Sequence, residues 1–294
     1  MVQEDWSRNV ERSNNIAKHS FIDQGFVINL SATYYEWFDK FQHELPPGKP
    51  FVKFNYLVVA QKVGIIVWCL LLMMHYQNFT TGAFVYLYLH GTHAVLWLIK
   101  DFTHPEQWFQ RYLTGMSAFS ITFLILIPYC VPAYLMISDV NTHPCSIRIG
   151  ACMLIHLFGL YINHGSDLQK YYTLKYRKGE LITTGFFKLT RNPNYIGMMC
   201  IYTSFITLTN KPLGYILIMA IWTTIFIPRM LMKDVSLGKI YFKIYIFHHN
   251  THLATKKGWE KYREQSWMLF PRIFKREYEN ILFGKLLIEC MNHY

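Results

Sequence analysis

Polar side chains in the second half of the chain have the types and spacing of a ligand site. Asn163 and Asp167 are four residues apart, so they lie on one face if this stretch is helical. Farther along, Arg191 directly precedes an Asn-Pro-Asn sequence at 192–194, and proline suits the first turn of a helix. Since a helix N-terminus attracts anions, Arg191 and the Asn194 amide predict a site for a phosphate-bearing ligand. A basic loop that faces lipid headgroups, with Asn-Pro-Asn as a helix cap, is the alternative.

Two histidines inside an apolar stretch form a second group that could bind a ligand. His90 and His93 are three residues apart on one helical face, and His156 lies in a later apolar stretch. Such a group allows a haem or metal site, but hydrogen bonds between helices, with close packing at Gly91, are the simpler interpretation. The six cysteines form no CxxC pair and no zinc spacing. We therefore expect no metal, with His90 and His93 as the candidate ligands if one binds.

The composition places these side chains in a membrane protein. Hydrophobic residues make up 52% of the 294 residues and charged residues only 16%, against roughly 25% charged in soluble domains. This excludes a disordered tail protein and disfavours a soluble enzyme. A helix needs about twenty apolar residues to cross the hydrocarbon, and six stretches approach that length: 56–74, 83–99, 116–137, 147–162, 195–208 and 212–227. The sequence predicts an all-α, multi-pass transmembrane bundle with about six crossings, the last two forming a short hairpin.

The distribution of basic residues predicts the orientation. The net charge is +11. Six crossings would put both termini on one side of the membrane, together with the loops that contain most of the Lys and Arg residues. Of the 29 Lys and Arg residues, only Lys62, Arg148 and Lys211 fall elsewhere. By the positive-inside rule both termini should face the cytosol or the mitochondrial matrix. This explains the basic charge without nucleic acid, and membrane lipids are the expected contacts.

The motifs around Asn194 carry a resemblance to a known family. The sequence Leu-Ile-Thr-Thr-Gly-Phe-Phe-Lys-Leu-Thr-Arg-Asn-Pro-Asn-Tyr-Ile-Gly at 181–197 resembles the signature of the steroid 5-alpha-reductase C-terminal superfamily. Blocks at 233–237, 258–262 and 266–271 are also similar, especially to an uncharacterised branch of multi-pass proteins. The resemblance covers about residues 150–275 and extends more weakly to lipid and prenyl-cysteine methyltransferases.

This resemblance implies an NADPH site at the cytosolic ends of the last spans. The reaction would be hydride transfer to the carbon–carbon double bond of an enone lipid, with an acid or a tyrosine polarising the carbonyl. On this chain the resemblance assigns Asn163, Asp167 and Asn194 to the nicotinamide and ribose, Arg191, Arg229 and Tyr262 to the phosphates and adenosine, and Tyr195 to the Asn-Tyr motif beside them.

The chain also departs from the family pattern. The family usually has glutamate where this chain has Met198, and no Asp or Glu lies inside the first four apolar stretches. A tyrosine would then have to polarise the carbonyl, and Tyr86 and Tyr129 are the candidates. If the site is active, Asp234 or Glu180 would replace the missing carboxylate.

These departures predict a protein that kept the fold and lost the chemistry. We expect an accessory or structural subunit of a large membrane assembly, such as a respiratory complex of the mitochondrial inner membrane. An NADPH-dependent reductase in the endoplasmic reticulum is the alternative, and a methyltransferase is a further one.

The domain organisation fits either role. It comprises a polar N-terminal arm (1–50), N-terminal transmembrane helices (51–145), a reductase-like domain (146–275) and a C-terminal extension (276–294). Residues 238–257 resemble an insertion between two family blocks. The arm and the extension are the segments expected to contact protein partners.

Overall fold

The computed structural model describes residues 33–34, 37, 40, 49–140, 143–234, 236–237 and 253–269. The predicted arm, insertion and extension lie largely outside these residues. The described part is mostly helical, and five of its helices are long and apolar enough to cross a membrane. These are α1 (Phe54–Tyr76), α2 (Thr81–Thr103), α3 (Gly115–Ile137), α4 (Ser146–Tyr176) and α6 (Pro212–Asp234). Helix α5 (Pro193–Thr209) has 17 residues and α7 (Leu253–Gln265) has 13.

The first two helices form an antiparallel pair joined by a tight turn. Gln77 caps the C-terminus of helix α1. Its backbone is in the left-handed conformation, and its N–H donates to the Met73 carbonyl. Thr80 then caps α2, its hydroxyl accepting from the Ala83 N–H at 3.4 Å. The Asn78 side chain donates to the Ile137 carbonyl at 2.8 Å and so ties this turn to the end of α3.

Prolines and π-helical turns interrupt the regular winding of α3 and α6. Pro128 and Pro132 in α3 cannot donate a backbone hydrogen bond, and a π-helical turn, Thr122–Leu126, lies just before them. A second π-helical turn, Trp222–Phe226, lies within α6. A short antiparallel pair, β1 (Val52–Lys53) with β2 (Tyr112–Leu113), precedes α1 and α3. In the described ranges, this pair and an isolated β-bridge between Thr190 and Trp267 are additions to the predicted all-α fold.

Helix α4 continues well beyond its apolar stretch. Its 31 residues extend about 46 Å, whereas the hydrocarbon core is about 30 Å thick. One face is buried at a spacing of three or four residues, and the opposite face exposes Leu154, Leu157 and Tyr161 to the surroundings. In a membrane this apolar face contacts lipid.

Helices α4 and α5 approach each other closely because two glycines face each other. A Cβ atom on Gly197 would lie 2.4 Å from the Asn163 backbone nitrogen, and one on Gly159 would lie 2.8 Å from the Gly197 carbonyl oxygen. Small residues allow such close helix packing in membranes. The contact fixes the start of α5 against the polar end of α4, where the predicted site residues lie.

The segment after α7 holds the first turn of α5. The Arg191 N–H donates to the Trp267 carbonyl, and the Asn192 side-chain amide donates to the Met268 carbonyl, both at 2.8 Å. The Thr190 hydroxyl donates to the Leu269 carbonyl at 2.6 Å. Residues 190–192 therefore take partners from a segment more than seventy positions later.

Candidate functional site

Two connected compartments lie between the helices. The inner cavity, of about 220 Å³, is mostly apolar and is surrounded by α1 to α6. The mouth, of about 360 Å³, is more polar and lies between α4, α5, α6 and the loop after α2. The two share Glu106, Asn194, Tyr195 and Arg229. The two compartments are therefore neighbours on either side of these four residues.

Asn163 and Asn194 meet at the junction of the two compartments. The Asn163 side-chain amide donates to the Asn194 carbonyl at 3.0 Å, which fixes the first turn of α5. The Asn194 side-chain oxygen is buried and accepts no hydrogen bond from the described residues. Tyr195 follows and packs edge-on against Phe226 at 5.2 Å. The predicted Asn-Tyr motif thus lines both compartments with an amide that can take a ligand hydrogen bond.

Asp167 lines the inner cavity as one half of a buried ion pair. The Lys100 ammonium donates to its carboxylate, and both side chains are only 8% exposed. Glu106 extends the network, with its carboxylate 3.8 Å from Lys100 and 3.6 Å from Lys170. Burial alone would raise the pKa of Glu106, but Lys170, Lys100 and Arg229 together hold it below 4.5.

The mouth carries a positive charge excess. Its lining includes Lys170, Arg229 and Lys233, with Glu106 as the carboxylate among them. The Arg229 guanidinium carbon lies 4.4 Å from the centroid of the Trp108 ring, which holds this cation at the junction. The mouth can therefore accept an anionic, phosphate-bearing group.

Arg191 and Tyr262 lie behind the site and line neither compartment. The Arg191 guanidinium is 2.8 Å from the Asp234 carboxylate. The Tyr262 hydroxyl donates to the Phe187 carbonyl at 2.7 Å, and burial raises its pKa to about 12. Both side chains fasten the segment after α7 to the start of α5, so their assignment to the phosphates and adenosine stays a prediction.

One of the two carboxylates in the inner cavity, Asp167, is among the residues expected from sequence, whereas the other, Glu106, is not. Asp234 is paired with Arg191, and Glu180 pairs with Arg177 at 3.1 Å in an exposed loop. Met198 does line the inner cavity, as the family pattern implies for this position. Among the described residues, Asp167 and Glu106 are the acids of the inner lining. In the sequence, Glu106 comes shortly after α2, which carries a lysine near its end. This proximity does not predict that both charges lie beside Asp167, because the folding of the chain brings the three together.

The candidate tyrosines differ in their surroundings. Tyr129 lines the inner cavity, and its buried hydroxyl has no hydrogen-bond partner in the described part of the chain. Tyr86 is fully buried beside the cavity, and its hydroxyl lies 2.8 Å from His90 Nε2. Tyr129 is therefore the tyrosine that a cavity ligand can reach.

His90 and His93 line the inner cavity, whereas His156 lies outside its lining. His90 stacks on Phe205 at 3.7 Å, and His93 Nε2 lies 3.0 Å from Lys62 Nζ. His156 is bonded to Ser204 at 3.0 Å, with Thr92 at 3.2 Å from its other ring nitrogen. Within the described ranges, no three His, Cys, Asp or Glu side chains are grouped to hold a metal ion. The interpretation as hydrogen bonds between helices accounts for His156.

Comparison with known families gives a match over the helical bundle. A family model described as "Protein of unknown function (DUF1295)" matches residues 65–237, more than half of the chain. The matched range runs from within α1 to just beyond α6 and includes every predicted cofactor residue except Tyr262. No curated protein matches the chain.

Proposed function

Because this chain belongs to the DUF1295 family, we propose that it has the reductase architecture of the steroid 5-alpha-reductase C-terminal superfamily, which its motifs resemble. Its function would be the NADPH-dependent reduction of a carbon–carbon double bond in an apolar, enone-type lipid. The observation that carries this proposal is the pair of connected compartments, which meet at Asn194 and Tyr195.

The two compartments match the two reactants in polarity. A dinucleotide is polar and anionic, which suits the cationic mouth, whereas a lipid tail suits the apolar inner cavity. The reaction requires the two to touch, and the shared lining residues provide that contact. A purely structural subunit would need no such cavity. In the described bundle, by contrast, the side chains leave the cavity unfilled.

The residues present fit NADPH. Lys170, Arg229 and Lys233 would hold its phosphates, and the free Asn194 side-chain oxygen would accept from its carboxamide. Asn163 would act indirectly, because its hydrogen bond holds Asn194 in place. When bound, NADPH supplies a hydride to the double bond.

The inner cavity supplies the other half of the chemistry. The Tyr129 hydroxyl lines it and has no partner in the described structure, so it can donate to the carbonyl oxygen of an enone. Such a donor stabilises the negative charge that develops on that oxygen. The apolar walls exclude water, which strengthens the interaction.

The membrane topology forms part of the proposal. Helix α5, with 17 residues, would be a sixth and short crossing beside the five long helices. Both termini and the mouth would face the basic side, where NADPH is available, in the endoplasmic reticulum or the mitochondrial inner membrane. The accessory-subunit, protein-partner and methyltransferase expectations stay predictions from the sequence.

The test is NADPH binding to the purified protein in lipid nanodiscs, measured by the fluorescence of the nicotinamide. We expect saturable binding, and a panel of enone lipids should then oxidise the bound NADPH. Asn194→Ala removes a buried hydrogen-bonding group worth about 1–2 kcal/mol, or roughly tenfold in affinity.

The matched control is Thr223→Ala. The Thr223 side chain is exposed on α6 and bonds its own helix at 2.9 Å, so NADPH affinity should not change. Absence of NADPH binding, or equal affinity in the Asn194→Ala and native proteins, would refute the proposed site.

A further inference from the structure

Lys62 lies within the apolar part of α1 and faces the inner cavity. It is buried, with 5% of its surface exposed. Its contacts are His93 Nε2 at 3.0 Å and the Tyr129 ring, whose centroid lies 4.8 Å from Nζ. Among the described residues, no carboxylate lies within ion-pair distance of it. A lysine inside a membrane protein without a counter-charge is costly, and such residues mark functional sites.

The other charges of the inner cavity are accounted for. The lining contains three cations, Lys62, Lys100 and Arg229, and two carboxylates, Glu106 and Asp167. Lys100 pairs with Asp167 and approaches Glu106 at 3.8 Å, which leaves Lys62 away from both acids. Lys62 is therefore a basic side chain for which the described residues of the cavity provide no carboxylate.

Hydrogen-bonding groups without partners surround the same position. Besides Asn194 Oδ1 at the junction, the buried polar atoms of lining residues that have no partner in the described part of the chain are Gln61 Nε2, His90 Nδ1, His93 Nδ1 and the Tyr129 hydroxyl. When Lys62 is protonated it donates to His93 Nε2, which places the His93 ring proton on Nδ1. Buried donors are normally satisfied, and a cluster of them beside one cation calls for an acceptor-rich anion.

We propose that the deep part of the inner cavity binds the carboxylate of an apolar lipid acid through Lys62, with Gln61 and His93 donating to its oxygens, while Tyr129 stays available to the carbonyl of the substrate. This defines the substrate class of the proposed reductase as an unsaturated lipid that carries an acidic group, and so rests on that function. One cation balances one carboxylate, whereas a phosphate monoester would bring about two negative charges. The surrounding walls hold the hydrocarbon chain.

The test compares three probes that share a ten-carbon chain: decanoate, methyl decanoate and decanol. Each is titrated at pH 6 into the full-length protein in nanodiscs without NADPH, and binding is read by native mass spectrometry. We expect decanoate to bind at least tenfold more tightly than the ester and the alcohol. This comparison uses the native chain alone, so it does not depend on the folding of a variant.

Two variants then assign the preference to Lys62. Lys62→Met should abolish the preference for decanoate while leaving the affinity for decanol unchanged. Lys178→Met removes the same charge from an exposed loop and should keep the preference.

The inference is overturned if the three probes bind equally, if none binds, or if Lys62→Met keeps the preference for decanoate. The NADPH titration separates this result from the proposed function. A decanoate preference without NADPH binding would refute the reductase alone, and NADPH binding without that preference would refute the lipid acid alone.

Discussion

Replacing Gly197 by alanine should separate the two helices that form the site. The new Cβ would lie 2.4 Å from the Asn163 backbone nitrogen and 2.7 Å from its Cα, whereas ordinary contacts begin at 3.4 Å. The helices must therefore part by about 1 Å, because backbone atoms cannot turn aside as a side chain can. Overpacking of this kind costs about 1–3 kcal/mol. Since backbone is involved we take the upper end of that range.

The intrinsic helix preference of alanine offsets part of this cost. It contributes roughly 0.5–1 kcal/mol relative to glycine, which leaves a net destabilisation of about 2 kcal/mol. The midpoint of thermal unfolding should fall by roughly 4–8 °C. NADPH affinity should fall with it, because Asn163 and Asn194 would no longer keep their hydrogen bond.

The assay is thermal unfolding in detergent micelles, followed by circular dichroism, with Gly91→Ala as the matched control. Gly91 lies inside α2, and a Cβ there would meet nothing within 4 Å. Gly91→Ala should therefore leave the midpoint unchanged or raise it slightly. A Gly197→Ala protein as stable as the Gly91→Ala protein would contradict the close helix contact.

Two further predictions concern the charges at the junction. Asp167→Leu leaves Lys100 buried with the Glu106 carboxylate, 3.8 Å away, as its remaining acid. The substitution should cost about 3 kcal/mol, the lower end of the range for a broken buried pair, and adding Lys100→Met should restore most of the stability in a double-mutant cycle of unfolding midpoints. An unrescued double variant would contradict this. The pKa of Glu106 is lowered in the folded protein, so its contribution to stability is present above about pH 4.5 and is lost as the pH falls through the folded pKa. In the Glu106→Gln protein, the unfolding midpoint should fall less steeply below about pH 4.5 than in the native protein, and an unchanged acid dependence would contradict that role.

The positions of the long helices could be predicted from apolar length alone. The stretch 56–74 corresponds to Phe54–Tyr76, and 212–227 begins where the last long helix begins. A membrane leaves the backbone few alternatives to a helix, so the apolar pattern is sufficient. The polar continuation of Ser146–Tyr176 was less evident, because its stability comes from packing against α5 rather than from apolar length.

The site could be predicted only in part, because its charges combine distant positions. The Asn-Tyr motif marked the junction, and Asn163, Asp167, Asn194, Tyr195 and Arg229 line the cavity. The partner of Asp167 is Lys100, 67 positions earlier, and no local pattern connects two such residues. Lys62 illustrates the same limit. The sequence shows a lysine within an apolar stretch, where it is costly in free energy, but it does not show that a histidine lies beside it.

The hydrogen bonds from residues 190–192 to the segment after α7 determine when the site is completed during synthesis. The chain is made from its N-terminus, so α5 is synthesised before residues 266–269 exist. Until then Thr190 and Asn192 lack the carbonyl partners that hold the first turn of α5. The bundle is thus assembled first and the junction matures last. A nascent chain released before residue 266 would be inserted in the membrane but lack a finished ligand site.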